Sequence, residues 1–151
     1  MAALDTLVNP PFANDPPVKL NVDAKVVGLV VAILAAIGGL FSLFGLLSLL
    51  GVGAALTAFG GIFALALIGV AVNLVADVMM ALGGYQMYQG NESGKRLVIY
   101  GLAIAFVAQI VLALGYTAGS AILQLIVLGI IYYVVVVSRF PGQASSTGTS
   151  R

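Results

Sequence analysis

Four polar side chains stand out in an otherwise apolar sequence: Asn73, Asp77, Gln109 and Gln124. Asp77 is the only ionisable residue, tyrosines aside, in a stretch that reads as membrane-spanning. A carboxyl group in the hydrocarbon core costs at least about 2.5–3.5 kcal/mol on insertion scales, and it usually faces a bundle interior or a water-filled cavity. Two chemistries fit such a set. A titratable carboxyl backed by amides can pass a proton or bind a small solute. The same groups can instead pair across helices and hold a bundle together, which is the commoner use in small bundles.

Spacing sharpens the point. Gly69, Asn73, Asp77 and Ala81 recur every four residues and share one helix face, as do Gly101, Ala105, Gln109 and Ala113. Stripes of small and polar residues let helix backbones approach and let amides bond across the contact. Counting 1.5 Å per residue from one end of the spans puts Asn73 roughly 22 Å in, Gln109 roughly 20 Å and Gln124 roughly 22 Å. Three amides on three helices therefore fall at one depth. Asp77 lies a turn nearer that end, and Ser42 on the first span lies slightly deeper. The expectation is an intramembrane polar layer, structural or conducting.

The elements that must position this layer follow from composition. Of 151 residues, 62% are hydrophobic and 7% charged, against about 25% charged in soluble domains. With a mean hydropathy of +1.17, the chain cannot cover a water-facing surface, which all but excludes a soluble globular enzyme. Val26 to Ala76 is a run of 51 uncharged residues, long enough for two helical spans at about 20 residues each. The β-branched run Val134–Val137 would suggest a strand in water, but a lone strand in lipid leaves its backbone unpaired. The reading is an all-α membrane protein: an up-down bundle of two hairpins, with four transmembrane helices at about 24–50, 55–88, 93–115 and 120–138.

Glycine pairs weaken the helix near Gly51-Val-Gly or at Gly60-Gly61, so the second span starts at about 55 or, on the later break, near Gly61. Gly90 can end that span, and Asn91 or Ser93 can cap the next. Arg139, Phe140 and Pro141 stop the last. Residues 1–23, with two Pro-Pro pairs and no early positive segment, read as an extended cytoplasmic arm rather than a secretory signal. Residues 140–151 read as a disordered cytoplasmic tail.

Charge sets orientation. With four spans, Lys19, Lys25, Lys95, Arg96, Arg139 and Arg151, all six basic residues, fall on one side. The turns near 51–55 and 115–120 carry no charge. The positive-inside rule then places both termini in the cytoplasm, in a cell (inner) membrane. Tyr85, Tyr88, Tyr100, Tyr132 and Tyr133 cluster near that side, and Tyr116 lies at the opposite turn, as an aromatic belt would.

No catalytic constellation is expected. Cys and His are absent, which removes thiolate nucleophiles, imidazole bases and the usual metal and haem ligands. No cofactor or metal site is read from the sequence, and a net charge of +1 gives no case for nucleic acid. Length, glycine content and four spans loosely resemble the double-hairpin proteolipid subunits of rotary ATPases. Here, however, the carboxyl lies in the second span rather than the last, and span 1 lacks a regular glycine alternation, so no functional residue carries over. The expectation is a non-catalytic accessory or structural subunit of a larger membrane complex, whose partners are the bilayer and other subunits or copies of itself. The alternative is a self-assembling proton- or solute-conducting protein that uses Asp77.

Overall fold

The computed structural model describes residues 2–13, 16–18, 20–52, 60–115 and 118–141. Five α-helices follow one another: α1 (Ala2–Val8), α2 (Ala24–Val52), α3 (Gly60–Tyr88), α4 (Glu92–Gly115) and α5 (Ala118–Val137). A 3-10 turn covers Pro11–Ala13. Among the described residues there is no strand, only an isolated parallel bridge between Asp23 and Arg139. Among the described residues, three helices are long and apolar enough to cross a membrane: Ala24–Gly51, Phe63–Tyr88 and Glu92–Ala113. The stretch Ile122–Val137 of α5 is a shorter apolar helix.

Local chemistry explains the helix ends. Asp23 Oδ1 accepts the Lys25 N–H at 2.8 Å, capping the first turn of α2. At the end of α3, Gly90 takes a φ of +87°, the left-handed conformation that glycine adopts without a Cβ penalty. The Gly90 N–H then reaches Met87 O and the Asn91 N–H reaches Gln86 O, both at 2.9 Å. This paired closure satisfies carbonyls the helix leaves open. Asn91 Oδ1 next accepts the Ser93 N–H at 3.0 Å and starts α4. α3 begins at Gly60, the later of the two starts. The rest of the break between the first two spans, over residues 53–59, lies outside the described residues, as do Lys19, Tyr116, Arg151 and the tail from 142 onward.

α3 is the centre of the bundle, with α2 against one side and α4 against the other. The closest packing is between α3 and α4, which the sequence assigns to different hairpins. Two adjacent glycines on α3 make both contacts possible. A Cβ on Gly84 would stand 2.6 Å from Gly28 O on α2, and one on Gly83 would stand 2.8 Å from Gly94 O on α4. Neither space admits a side chain. The fully buried residues Met87, Val98, Ile99 and Val135 gather near this level. Towards the far end, α2 is largely exposed, with Phe41 at 73% and Phe44 at 66%. A helix that is apolar on all faces needs lipid or another protein around it.

The N-terminal arm departs from the extended chain expected, because Ala2–Val8 is helical. It is strapped to the end of α5 by two neighbouring tyrosines. Tyr132 donates to Leu7 O at 2.7 Å, and Tyr133 donates to Val18 O at 2.9 Å. The Phe12 ring stacks on Tyr133 at 5.9 Å and meets Tyr132 edge-on at 6.4 Å. The strap ends where the Ala24 N–H bonds Arg139 O at 2.8 Å and the Arg139 N–H bonds Val22 O at 3.2 Å.

Candidate functional site

Asp77 is 7% exposed and lies between α2 and α3. Its position depends on a glycine pair across the interface. A Cβ on Gly38 would come 3.3 Å from Asp77 Oδ1, and one on Gly39 would come 3.5 Å from Asp77 Cβ. Bare backbone on α2 therefore leaves room for the carboxyl. Ser42, one turn beyond Gly38 on the same face of α2, donates its hydroxyl to Asp77 Oδ2 at 2.7 Å.

Asn73 closes the group. Its Nδ2 donates to Ser42 Oγ at 3.0 Å and to Asp77 Oδ2 at 3.1 Å. Its Oδ1 accepts from Gln109 Nε2 of α4 at 3.4 Å, a long and weak bond. These partners fix which way the Asn73 amide points. A chain of hydrogen bonds thus runs from α4 through α3 to α2: Gln109, Asn73, Ser42, Asp77. No buried side-chain nitrogen or oxygen among the described residues lacks a partner.

Of the four residues singled out by sequence, the structure brings together Asn73, Asp77 and Gln109. Gln124 stands apart, exposed on α5. It shares its helix face with Leu128, Ile131 and Val135, which are half-buried or buried, but at its own level that face is open. Depth along the helix was legible; whether a neighbour stood opposite was not. Ser42, which the sequence places only near the layer, is central to the cluster. The signal for it was the Gly38-Gly39 pair one turn earlier.

Chemically, two donors converge on one carboxyl oxygen. Both a carboxylate oxygen and the carbonyl oxygen of a carboxylic acid can accept such bonds, the carboxylate the more strongly. Among the described residues, no group of three His, Cys, Asp or Glu is gathered that could hold a metal ion. No protein-family model, curated protein or solved structure matches this chain.

Proposed function

We propose that this chain is a non-catalytic integral membrane subunit that packs into a larger membrane complex. The observation that carries this reading is the closure of the polar cluster. Ser42, Asn73, Asp77 and Gln109 spend their hydrogen bonds on one another and join α2, α3 and α4, as interhelical contacts in a bundle do. The long exposed face of α2, with Phe41, Phe44 and Leu47, gives a partner helix or lipid a largely apolar surface. α5 counts as the fourth span, antiparallel to α4. Lys25, Lys95, Arg96 and Arg139 then lie at one end, which the positive-inside rule assigns to the cytoplasm of a cell membrane.

A second reading rests on the same bonds. A connected series of donors and acceptors ending on a carboxyl can relay a proton, which would make the chain a self-assembling conductor. Blue-native electrophoresis of membranes solubilised in mild detergent, followed by mass spectrometry, separates the two. Comigration with unrelated large subunits supports the first. A ring of copies alone, with a proton flux in liposomes that Asp77→Asn abolishes, would replace it with the second.

A further inference from the structure

An apolar groove of about 350 Å³ runs between α4 and α5, away from the polar cluster. Ile99, Ala103, Phe106 and Val107 form one wall, and Leu128 and Gly129 form the other. Leu7 of the arm and Tyr132 reach its end. From Ile99 to Val107 the α4 wall is about 12 Å long, and it runs along the helix axis. In a bilayer that axis is the direction of the lipid chains.

The groove has one gap built into its wall. A Cβ on Gly129 would meet nothing within 4 Å, so the space beside it is room that no side chain of the protein fills. The α4 wall continues to a cation beyond the groove's lining. Arg96, Ile99, Ala103 and Val107 follow at intervals of three, four and four residues and share a face of α4. Arg96 is exposed and stands about one turn beyond Ile99, at the end where the basic residues gather. Glu92 lies a further turn out, towards the loop. The Tyr132 hydroxyl is committed to Leu7 O and the Lys95 ammonium to Val136 O and Ser138 O, so Arg96 is the exposed cation on the face of α4 that lines the groove.

We propose that this groove holds one acyl chain of an anionic phospholipid, with Arg96 binding the phosphate. A guanidinium matches a phosphate with paired N–H donors. The apolar walls take the chain, the axial direction keeps it aligned with its neighbours in the leaflet, and the charge selects the headgroup. The proposal rests on the reading of α5 as a fourth span, and not on membership of a larger complex.

The test is native mass spectrometry of the detergent-purified full chain, given equal amounts of dioleoyl phosphatidylglycerol and dioleoyl phosphatidylcholine. The wild type is expected to retain one phosphatidylglycerol in preference. Gly129→Leu fills the gap from one wall and Ala103→Leu from the other; each should cut retention about tenfold. Leucine at 129 meets no atom near its Cβ and raises helix propensity, so the fold should survive, and thermal unfolding verifies this for both variants. Arg96→Gln should leave lipid bound while equalising the two headgroups. Undiminished phosphatidylglycerol binding in both folded leucine variants overturns the proposal, as does a wild type that takes phosphatidylcholine equally well.

Discussion

Ser42 Oγ and Asp77 Oδ2 lie 2.7 Å apart across the α2–α3 interface, and with the Asn73 Nδ2 bond to the same serine hydroxyl they form a polar contact beside the glycines Gly38 and Gly39. α2 and α3 are apolar on nearly every face, and the close approach at Gly28 and Gly84 fixes their register at one end only. A directional bond from a serine to a buried carboxyl specifies it. The neighbouring Asn73 amide adds a second donor to the same oxygen, which makes the register the one arrangement that satisfies all three groups.

Asp77→Asn keeps the size of the side chain and an acceptor for Ser42, so folding should be close to wild type. Asp77→Leu removes the acceptor of the Ser42 hydroxyl and one of the two bonds of Asn73 Nδ2, leaving the Asn73–Ser42 bond in place. Measured interhelical polar contacts average about 0.6 kcal/mol and reach about 1.7, so the leucine variant should lose about 1–2 kcal/mol. Reversible unfolding in mixed micelles checks both. Equal stability of the two variants would show that the bonds to Asp77 contribute nothing to the fold.

Gly84 and Gly83 carry a harsher prediction. The Gly84 site stands 2.6 Å from backbone oxygen on α2, and backbone cannot swing aside as a flexible side chain can. Gly84→Val should therefore force α2 and α3 apart, at a cost of about 1–3 kcal/mol or more from overpacking. Gly129→Ala serves as the control, because its Cβ meets open space. Thermal melts in detergent should show a clear drop for the first variant and none for the second. A valine at 84 that leaves the melting temperature unchanged is incompatible with so close a crossing.

The contrast between these sites shows what the sequence could convey. Helices, their apolar character and the Gly90–Asn91 turn follow from residue types and local spacing, and the structure has them at those places. Asn73 and Gln109 meet because equal depth on two helices that pack closely brings them together. Gln124 has the same depth but is exposed on α5, and nothing in one sequence says where a neighbouring helix will stand. The stripes on α3 and α4 pointed to the contact between these helices, but which glycines make its closest approach was hidden for a related reason. Gly83 and Gly84 sit side by side in the sequence, yet they point to different partners, a fact set by tertiary packing alone. The tyrosines at 132 and 133 looked like a belt at the membrane surface, and their role in strapping the arm depends on Leu7 and Val18, more than a hundred residues away.

That strap is testable in isolation. Tyr132→Phe and Tyr133→Phe remove the hydroxyls and keep the rings, so each should cost about 0.5–1.5 kcal/mol of arm attachment. Phe12→Ala removes the ring contacts instead. The double tyrosine variant should speed proteolytic cleavage within residues 2–18 while the helices stay protected. If cleavage rates match wild type, the hydroxyl bonds to Leu7 O and Val18 O do not hold the arm.

Lys95 offers the last prediction, because one side chain on α4 closes the end of α5. Its Nζ donates to Val136 O at 2.7 Å and to Ser138 O at 3.0 Å. The final carbonyls of a helix have no partner within it and carry partial negative charge, so an ammonium placed there satisfies them and complements the dipole. Ser138 Oγ meets a third, Val135 O, at 2.7 Å. The next residue, Arg139, is the one that pairs with Val22 and Ala24, so the Lys95 contact also steadies the junction between α5 and the arm. Lys95→Met keeps the apolar stem and removes the charge. Hydrogen bonds to charged groups contribute about 1.5–3 kcal/mol, which corresponds to roughly tenfold or more in opening equilibrium. Hydrogen–deuterium exchange should therefore accelerate by that factor for the amides of Ser138, Arg139 and Ala24, while amides in the middle of α3 stay unchanged. Exchange that rises equally throughout the bundle would point to general loosening rather than a local cap, and exchange that does not rise at all would remove Lys95 from the account of how α5 is held.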